Sequence, residues 1–216
     1  MACEVLEGLK RFSLSEAEIV GVEIDEGDIV KSIWELGHNL FQFVFHEIED
    51  KDKVFNNRVW SFDNQYLILR EWVENMDVNE MDFSKMAIWI QIWNIPNHWI
   101  SSEAGLKVGG LFTEVQDVFI PDSGIVKGRC IKLLALIDLA KPLLRGTHIR
   151  LGGVKWWVNF KYENLMGFCF YCGFIGHIER GCNQMNDDLK INVLKEGEFG
   201  EWLKAEESSF LHKGEN

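Results

Sequence analysis

The sequence predicts an α+β fold, and three observations carry that expectation. Strand-length apolar runs alternate with single helix-length segments that are charged or serine-capped. A two-glycine turn, Gly152-Gly153, divides two apolar flanks as a hairpin does. The composition is that of an ordinary globular chain, with 216 residues, 47% hydrophobic and 26% charged, enough for one substantial core or two small ones.

Taken in order, Ser13 or Ser15 can cap a short helix, with acidic residues in its first turn. The stretch Ile29 to Leu36 reads equally as helix or strand. Leu40, Gln42 and Val44 then alternate with Phe41, Phe43 and Phe45, the period-two pattern of a strand. The charged segment that follows, with Ile48, Val54 and Phe55, reads as a surface helix, and residues 61–73 as a second strand with a turn signal at Asp63-Asn64. Residues 87–96 form a strand that ends at Pro96. A helix opens at Ser101 or Ser102 and breaks at Gly109-Gly110. Residues 115–120 are a strand stopped by Pro121-Asp122, and residues 128–139 are apolar enough for a buried strand. The hairpin flanks are Ile149 and Leu151 on one side and Val154, Trp156, Val158 and Phe160 on the other.

This order predicts an α+β sandwich of antiparallel strands and helices, ferredoxin-like or related, over residues 10–160. A helix-to-strand order is expected twice, near 10–75 and 85–160, without a sequence repeat. Residues 185–216 are polar and are expected to be a disordered tail or to form a short helix near Trp202.

No run of about 18 apolar residues exists, and the first residues hold acids where a signal peptide needs a basic start. The expected location is intracellular, in nucleus or cytoplasm. Of five cysteines, Cys3 and Cys130 are isolated and three crowd into fourteen residues, a poor disulfide framework and a good metal site. The net charge of −12 is unevenly placed. Residues 1–124 hold 9 Lys+Arg against 23 Asp+Glu, residues 125–190 hold 10 against 5, and residues 191–216 hold 3 against 6. The only basic segment is therefore the one with the cysteine cluster, where association with phosphate is plausible.

That cluster is Cys169, Cys172, His177 and Cys182, spaced C-x2-C-x4-H-x4-C. Three thiolates and an imidazole saturate the tetrahedral shell that zinc prefers, so one structural zinc is expected, with no open position for chemistry. Gly173 and Gly176 supply the backbone freedom that wrapping a metal requires. A knuckle of this size, residues 161–184, has almost no apolar core and relies on its metal. Phe170 and Ile178 are then candidates for an apolar platform under an unpaired base, and Arg180 with Lys155 and Lys161 for phosphate contacts. The competing reading for Phe170, Tyr171 and Phe174 is packing against the neighbouring domain.

The run from Cys169 to Cys182 resembles the zinc knuckles of retroviral and retrotransposon nucleocapsid proteins. It shares the aromatic after the first Cys, both glycines, the Ile after His and the Arg before the last Cys. The wider stretch is similar to a plant knuckle family of the same spacing. Pro142, Leu143, Arg145 and Gly146 match that family's opening, and Lys161, Tyr162 and Glu163 its approach to the first Cys. Upstream, Trp60, Phe62 and Leu67, then Trp89 and Pro96, resemble the plant domain of unknown function 4283. The resemblance implies a protein related to the nucleic-acid-binding component of LINE-type retrotransposons.

The expected function is zinc-dependent, gag-like binding of single-stranded RNA or DNA through the knuckle. The alternative is a protein-interaction or self-association module, acting through the acidic N-terminal domain, with the zinc purely structural. No accepted catalytic spacing is present, so an enzyme is not expected. Asp25 to Asp28 lacks the ordered ligands of a calcium loop, and Gly105 to Gly110 lacks the ending of a phosphate loop. The five other histidines have no partner at ligand spacing, and Cys130 reads as core.

Overall fold

A computed structural model describes residues 30–56, 59–62, 65–73, 76–122, 129–195 and 197–205. The helix expected near Ser13 lies outside them. The described chain divides into two compact units, the first ending at Asn56. The sequence reading instead ran one α+β domain through residues 10–160.

In the first unit, β1 (Val30–Gly37) pairs antiparallel with β2 (Leu40–Phe45), so the ambiguous stretch near Ile29 to Leu36 is strand. Asn39, at φ 57°, supplies the left-handed residue that the tight turn between them needs. Helix α1 (Ile48–Asn56) follows, with acidic residues in its first turn and Lys53 paired to Asp50 at 2.9 Å. None of its residues is buried, as expected for a surface helix.

The second unit begins with two three-residue strands, β3 (Trp60–Phe62) and β4 (Gln65–Leu67), which pair with each other. They replace the single strand expected over residues 61–73. The Asp63-Asn64 turn signal itself lies outside the described residues.

The main sheet is antiparallel and five-stranded. It contains β5 (Lys85–Trp93), β6 (Glu114–Phe119), β7 (Ile131–Asp138), β8 (Gly146–Leu151) and β9 (Val154–Tyr162), in the order β6-β7-β5-β9-β8. Strand alternation decides the core. Ile88, Ile90, Ile92, Ile131, Leu133, Ala135, Val158 and Phe160 occupy one face and are fully buried. Helix α2 (Ser102–Gly109) covers part of that face, its first turn capped by Ser101 Oγ accepting from Ala104 N at 3.2 Å.

Two glycines let this helix approach the sheet closely. A Cβ at Gly105 would stand 2.7 Å from Val118 Cγ1, and one at Gly109 would stand 2.3 Å from Val115 Cγ2. Gly105→Leu should therefore cost about 2–3 kcal/mol through overpacking, despite the better helix propensity of leucine. A urea midpoint equal to that of the parent would refute this close approach.

The β8–β9 hairpin turns at Gly152 and Gly153, both with positive φ, as predicted. Val158 and Phe160 reach the core, whereas Val154 and Trp156 stay exposed because the hairpin end projects past the buried part of the sheet.

The described part of the tail takes the second of its two expected forms, with a short 3-10 helix at Glu201–Leu203 around Trp202. Helix α3 (Asn183–Lys190) follows the cysteine cluster, and residues 197–205 fold back onto the core. Leu203 is fully buried, and Ala205 N donates to Tyr162 O at 2.9 Å. Low apolar density left disorder or a short helix near Trp202 as the two expectations, and Phe199 and Leu203 seat the segment in the latter. Among the described residues no helix is long and apolar enough to cross a membrane.

Candidate metal centre

Strand β9 delivers the chain from the sheet into the knuckle. Tyr162, its last residue, is fully buried and donates its hydroxyl to Leu144 O at 2.7 Å, which fixes where the knuckle starts. Cys169 N donates to Phe174 O at 3.0 Å, Gly173 N to Cys169 O at 2.9 Å, and Gly176 N to Gly167 O at 2.7 Å. Gly173 and Gly176 have φ of 79° and 103°, a region that L side chains rarely adopt. At Gly173 a second constraint applies, since a Cβ would fall 2.3 Å from the Phe199 ring.

These turns bring Cys169, Cys172, His177 and Cys182 together with all ligand atoms within 4.8 Å of one another. Cys172 Sγ and His177 Nε2 are 3.2 Å apart. A tetrahedral shell with zinc–sulfur bonds of about 2.3 Å has edges of about 3.7 Å, so the donor set fits a zinc ion in size and chemistry. All four positions are filled by protein atoms, which is the closed arrangement of a structural site.

The surroundings favour sulfur anions in some respects and oppose them in others. Burial pushes the Cys172 thiol up to about 12 and raises Cys169 as well, so both stay protonated near neutral pH until a cation displaces the protons. Backbone amides of Tyr171 and Cys172 donate toward Cys169, and that of Phe174 toward Cys172, which works the other way. Cys182 Sγ accepts from Met185 N at 3.3 Å, so this ligand also caps α3. Glu179 accepts from Phe170 N and braces the two ends of the metal loop.

The knuckle is not an independent module. Leu165 and Phe168 belong to the main core, and Phe170, Ile175 and Phe199 pack against it. Leu143 N donates to Gly173 O at 2.8 Å. Packing against the main core therefore applies to Phe170, whereas Tyr171 and Phe174 pack on the cysteine cluster itself, and Tyr171 Oη also donates to Asp188 at 2.6 Å.

The proposed nucleic-acid contacts fall in two places. Ile178 is 53% exposed, and Arg180 is exposed with no ion pair among the described residues. Phe170 is half-buried, with Lys204 Nζ 5.5 Å from its ring centroid. Lys161 and Lys155 lie on β9 instead. Lys161 sits over the Trp93 ring at 5.5 Å, and Lys155 pairs across strands with Arg150. Six residues of strand separate the two lysines by about 20 Å, so Lys155 and the knuckle do not form one cluster.

The zinc-knuckle family model, described as "Zinc knuckle", matches residues 137–184. A second model, described as "Domain of unknown function (DUF4283)", matches residues 31–80. The two therefore occur in the order expected from sequence. The knuckle match begins within β7 and takes in the whole β8–β9 hairpin, well upstream of residue 161. No curated protein and no solved structure matches the chain.

Proposed function

We propose that this chain binds single-stranded RNA or DNA through its zinc-loaded knuckle, without catalysing a reaction. The observation that carries this reading is the closed Cys3His cluster, which leaves Ile178 and Arg180 exposed at a 3-10 turn whose Glu179 accepts from Phe170 N. Ile178 offers apolar surface to a base and Arg180 a charge to phosphate. The order of the two family matches supports descent from the nucleic-acid-binding component of a plant LINE-type element, acting in nucleus or cytoplasm. Strands β5 and β6 joined through α2, with β7 between them, support the ferredoxin-like reading of the sheet.

The test is a titration of single-stranded oligonucleotides at several salt concentrations, with zinc-loaded and chelated protein side by side. Affinity that needs zinc and falls with salt supports the proposal. Phe170→Ala with Ile178→Ala should weaken binding about tenfold at unchanged zinc content. Equal affinity in that variant removes the stacking role.

One observation favours a second reading, in which the zinc is structural and the partner is a protein. Phe170 gives one side to the core and shares its ring with Lys204, so less of it is free than in a detached knuckle. Absence of nucleic-acid binding even at low salt would move the assignment there.

A further inference from the structure

We propose that the β8–β9 hairpin carries a second contact for single-stranded nucleic acid, independent of zinc, in which Trp157 stacks on a base and Arg150 and Lys155 hold flanking phosphates. It stands on residues separate from the knuckle.

Trp157 lies on the sheet face opposite the core, since its strand neighbour Val158 is fully buried on the other side. Its indole lies across Gly146, where a Cβ would come within 2.7 Å of Cζ2. Nε1 donates to Asn159 Oδ1 at 2.7 Å, and the His148 ring meets the indole edge-on at 4.8 Å. The ring is thus held flat by its neighbours while 39% of the residue remains exposed. Asn94 holds the hairpin itself in place. Its Nδ2 donates to Trp157 O at 2.7 Å, and its carbonyl accepts from Trp156 Nε1 at 2.6 Å. An aromatic ring with its polar edge satisfied and its orientation fixed stacks on a base with little ordering cost.

Along the hairpin and the segment leading into it the charges are of one sign. From Leu139 to Tyr162 the sequence holds Lys141, Arg145, Arg150, Lys155 and Lys161 and no acidic residue. Arg150 and Lys155 are direct cross-strand partners next to the His148–Trp157 pair. Like charges placed opposite each other destabilise a ladder, and neither has an ion-pair partner among the described residues. A polyanion would relieve that repulsion. The alternation of a flat aromatic with paired cations fits a phosphate backbone carrying stackable bases better than an acidic peptide, which has no base to place on Trp157.

The experiment compares the full zinc-loaded chain with Trp157→Ala and with the exposed double variant R150Q/K155Q, using a single-stranded oligonucleotide and polyglutamate of equal charge. Zinc content and thermal unfolding establish that each variant is folded. The expected results are a five- to tenfold weaker oligonucleotide affinity for Trp157→Ala and a salt slope smaller by about 1.4 for R150Q/K155Q. Polyglutamate should bind more weakly than the oligonucleotide and be insensitive to Trp157→Ala. Hairpin variants that bind like the parent, while the F170A/I178A protein is impaired, would overturn the hairpin contact and leave the knuckle reading standing. The reverse pattern would uphold the hairpin and overturn the knuckle. Equal binding of polyglutamate and oligonucleotide would reduce the hairpin to a general anion patch and overturn the proposal, as would no binding by the parent.

Discussion

Cys172→Ser should lose zinc altogether, from one ion per chain to none retained after dialysis, and the loss should reach beyond the knuckle. Structural zinc in small modules contributes apparent binding free energies of about 10–16 kcal/mol, so no contact in this region can replace it. The four ligands come from a stretch whose turns rest on positive-φ glycines and a few backbone hydrogen bonds. Without the metal, two thiols, a serine hydroxyl and an imidazole are left crowded at the site, and α3 loses the well-placed sulfur at its N-cap. Phe168 is 4% exposed in the main core, and Phe199 packs on both Phe168 and Gly173. Loosening the metal loop therefore unseats residues 197–205 and exposes one edge of the core. Hydrogen exchange should show the amides of Cys169, Gly173 and Gly176 unprotected in the variant, and that of Ala205 weakened. The β5–β7 ladder should keep most of its protection. Unchanged zinc stoichiometry in Cys172→Ser would refute the ligand assignment, and unchanged protection at Ala205 would refute the coupling between knuckle and tail.

Much of this was legible in the sequence where a local rule decides the outcome. The C-x2-C-x4-H-x4-C spacing brought the four donors together because the chain between them is short and contains the glycines its turns need. Ser101 and Gly152-Gly153 each mark a boundary through backbone chemistry that acts over a few residues. What stayed hidden depends on partners far apart in sequence. Phe199 and Leu203 look like stray apolar residues in a charged tail until Gly173 and Tyr162 are placed beside them. Lys155 reads as an upstream neighbour of the knuckle, yet strand geometry carries it to the far end of the hairpin opposite Arg150. The Arg145-Gly146 and Lys161-Tyr162-Glu163 matches carried a family resemblance in the sequence, and the structure gives them physical roles. Arg145 sits over the Phe199 ring at 5.5 Å, Gly146 makes room for Trp157, and Tyr162 anchors the end of β9.

Glu163, the last residue of that second match, leads to the other large expected effect. Its carboxylate pairs with Lys132 Nζ at 2.7 Å and accepts from Gln91 Nε2 at 2.6 Å. Gln91 Oε1 in turn accepts from Trp93 Nε1 at 2.9 Å, and Lys132 Nζ lies 5.3 Å from the Trp89 ring centroid. The pair is largely removed from water, with side-chain exposures of 10% and 18%, and Gln91 is 1% exposed. Glu163→Ala leaves a lysine charge in that setting with only an aromatic face to answer it, and strands one amide of Gln91. The expected cost is about 3 kcal/mol, near the lower end for breaking a buried pair because some water still reaches it. Replacing both partners, as K132M/E163Q, should cost far less than the two single changes together. No buried charge is then left, and the amide carbonyl that replaces the carboxylate can still accept from Gln91. Since the groups are mostly shielded, the cost of Glu163→Ala should change little between low and high salt, unlike that of a surface pair. Urea unfolding of the parent, Glu163→Ala, the two single variants K132M and E163Q, and their double variant decides the matter. Additive losses, or a cost of Glu163→Ala below about 1 kcal/mol, would mean that the sheet is held by its apolar face alone and that Glu163 only decorates its edge.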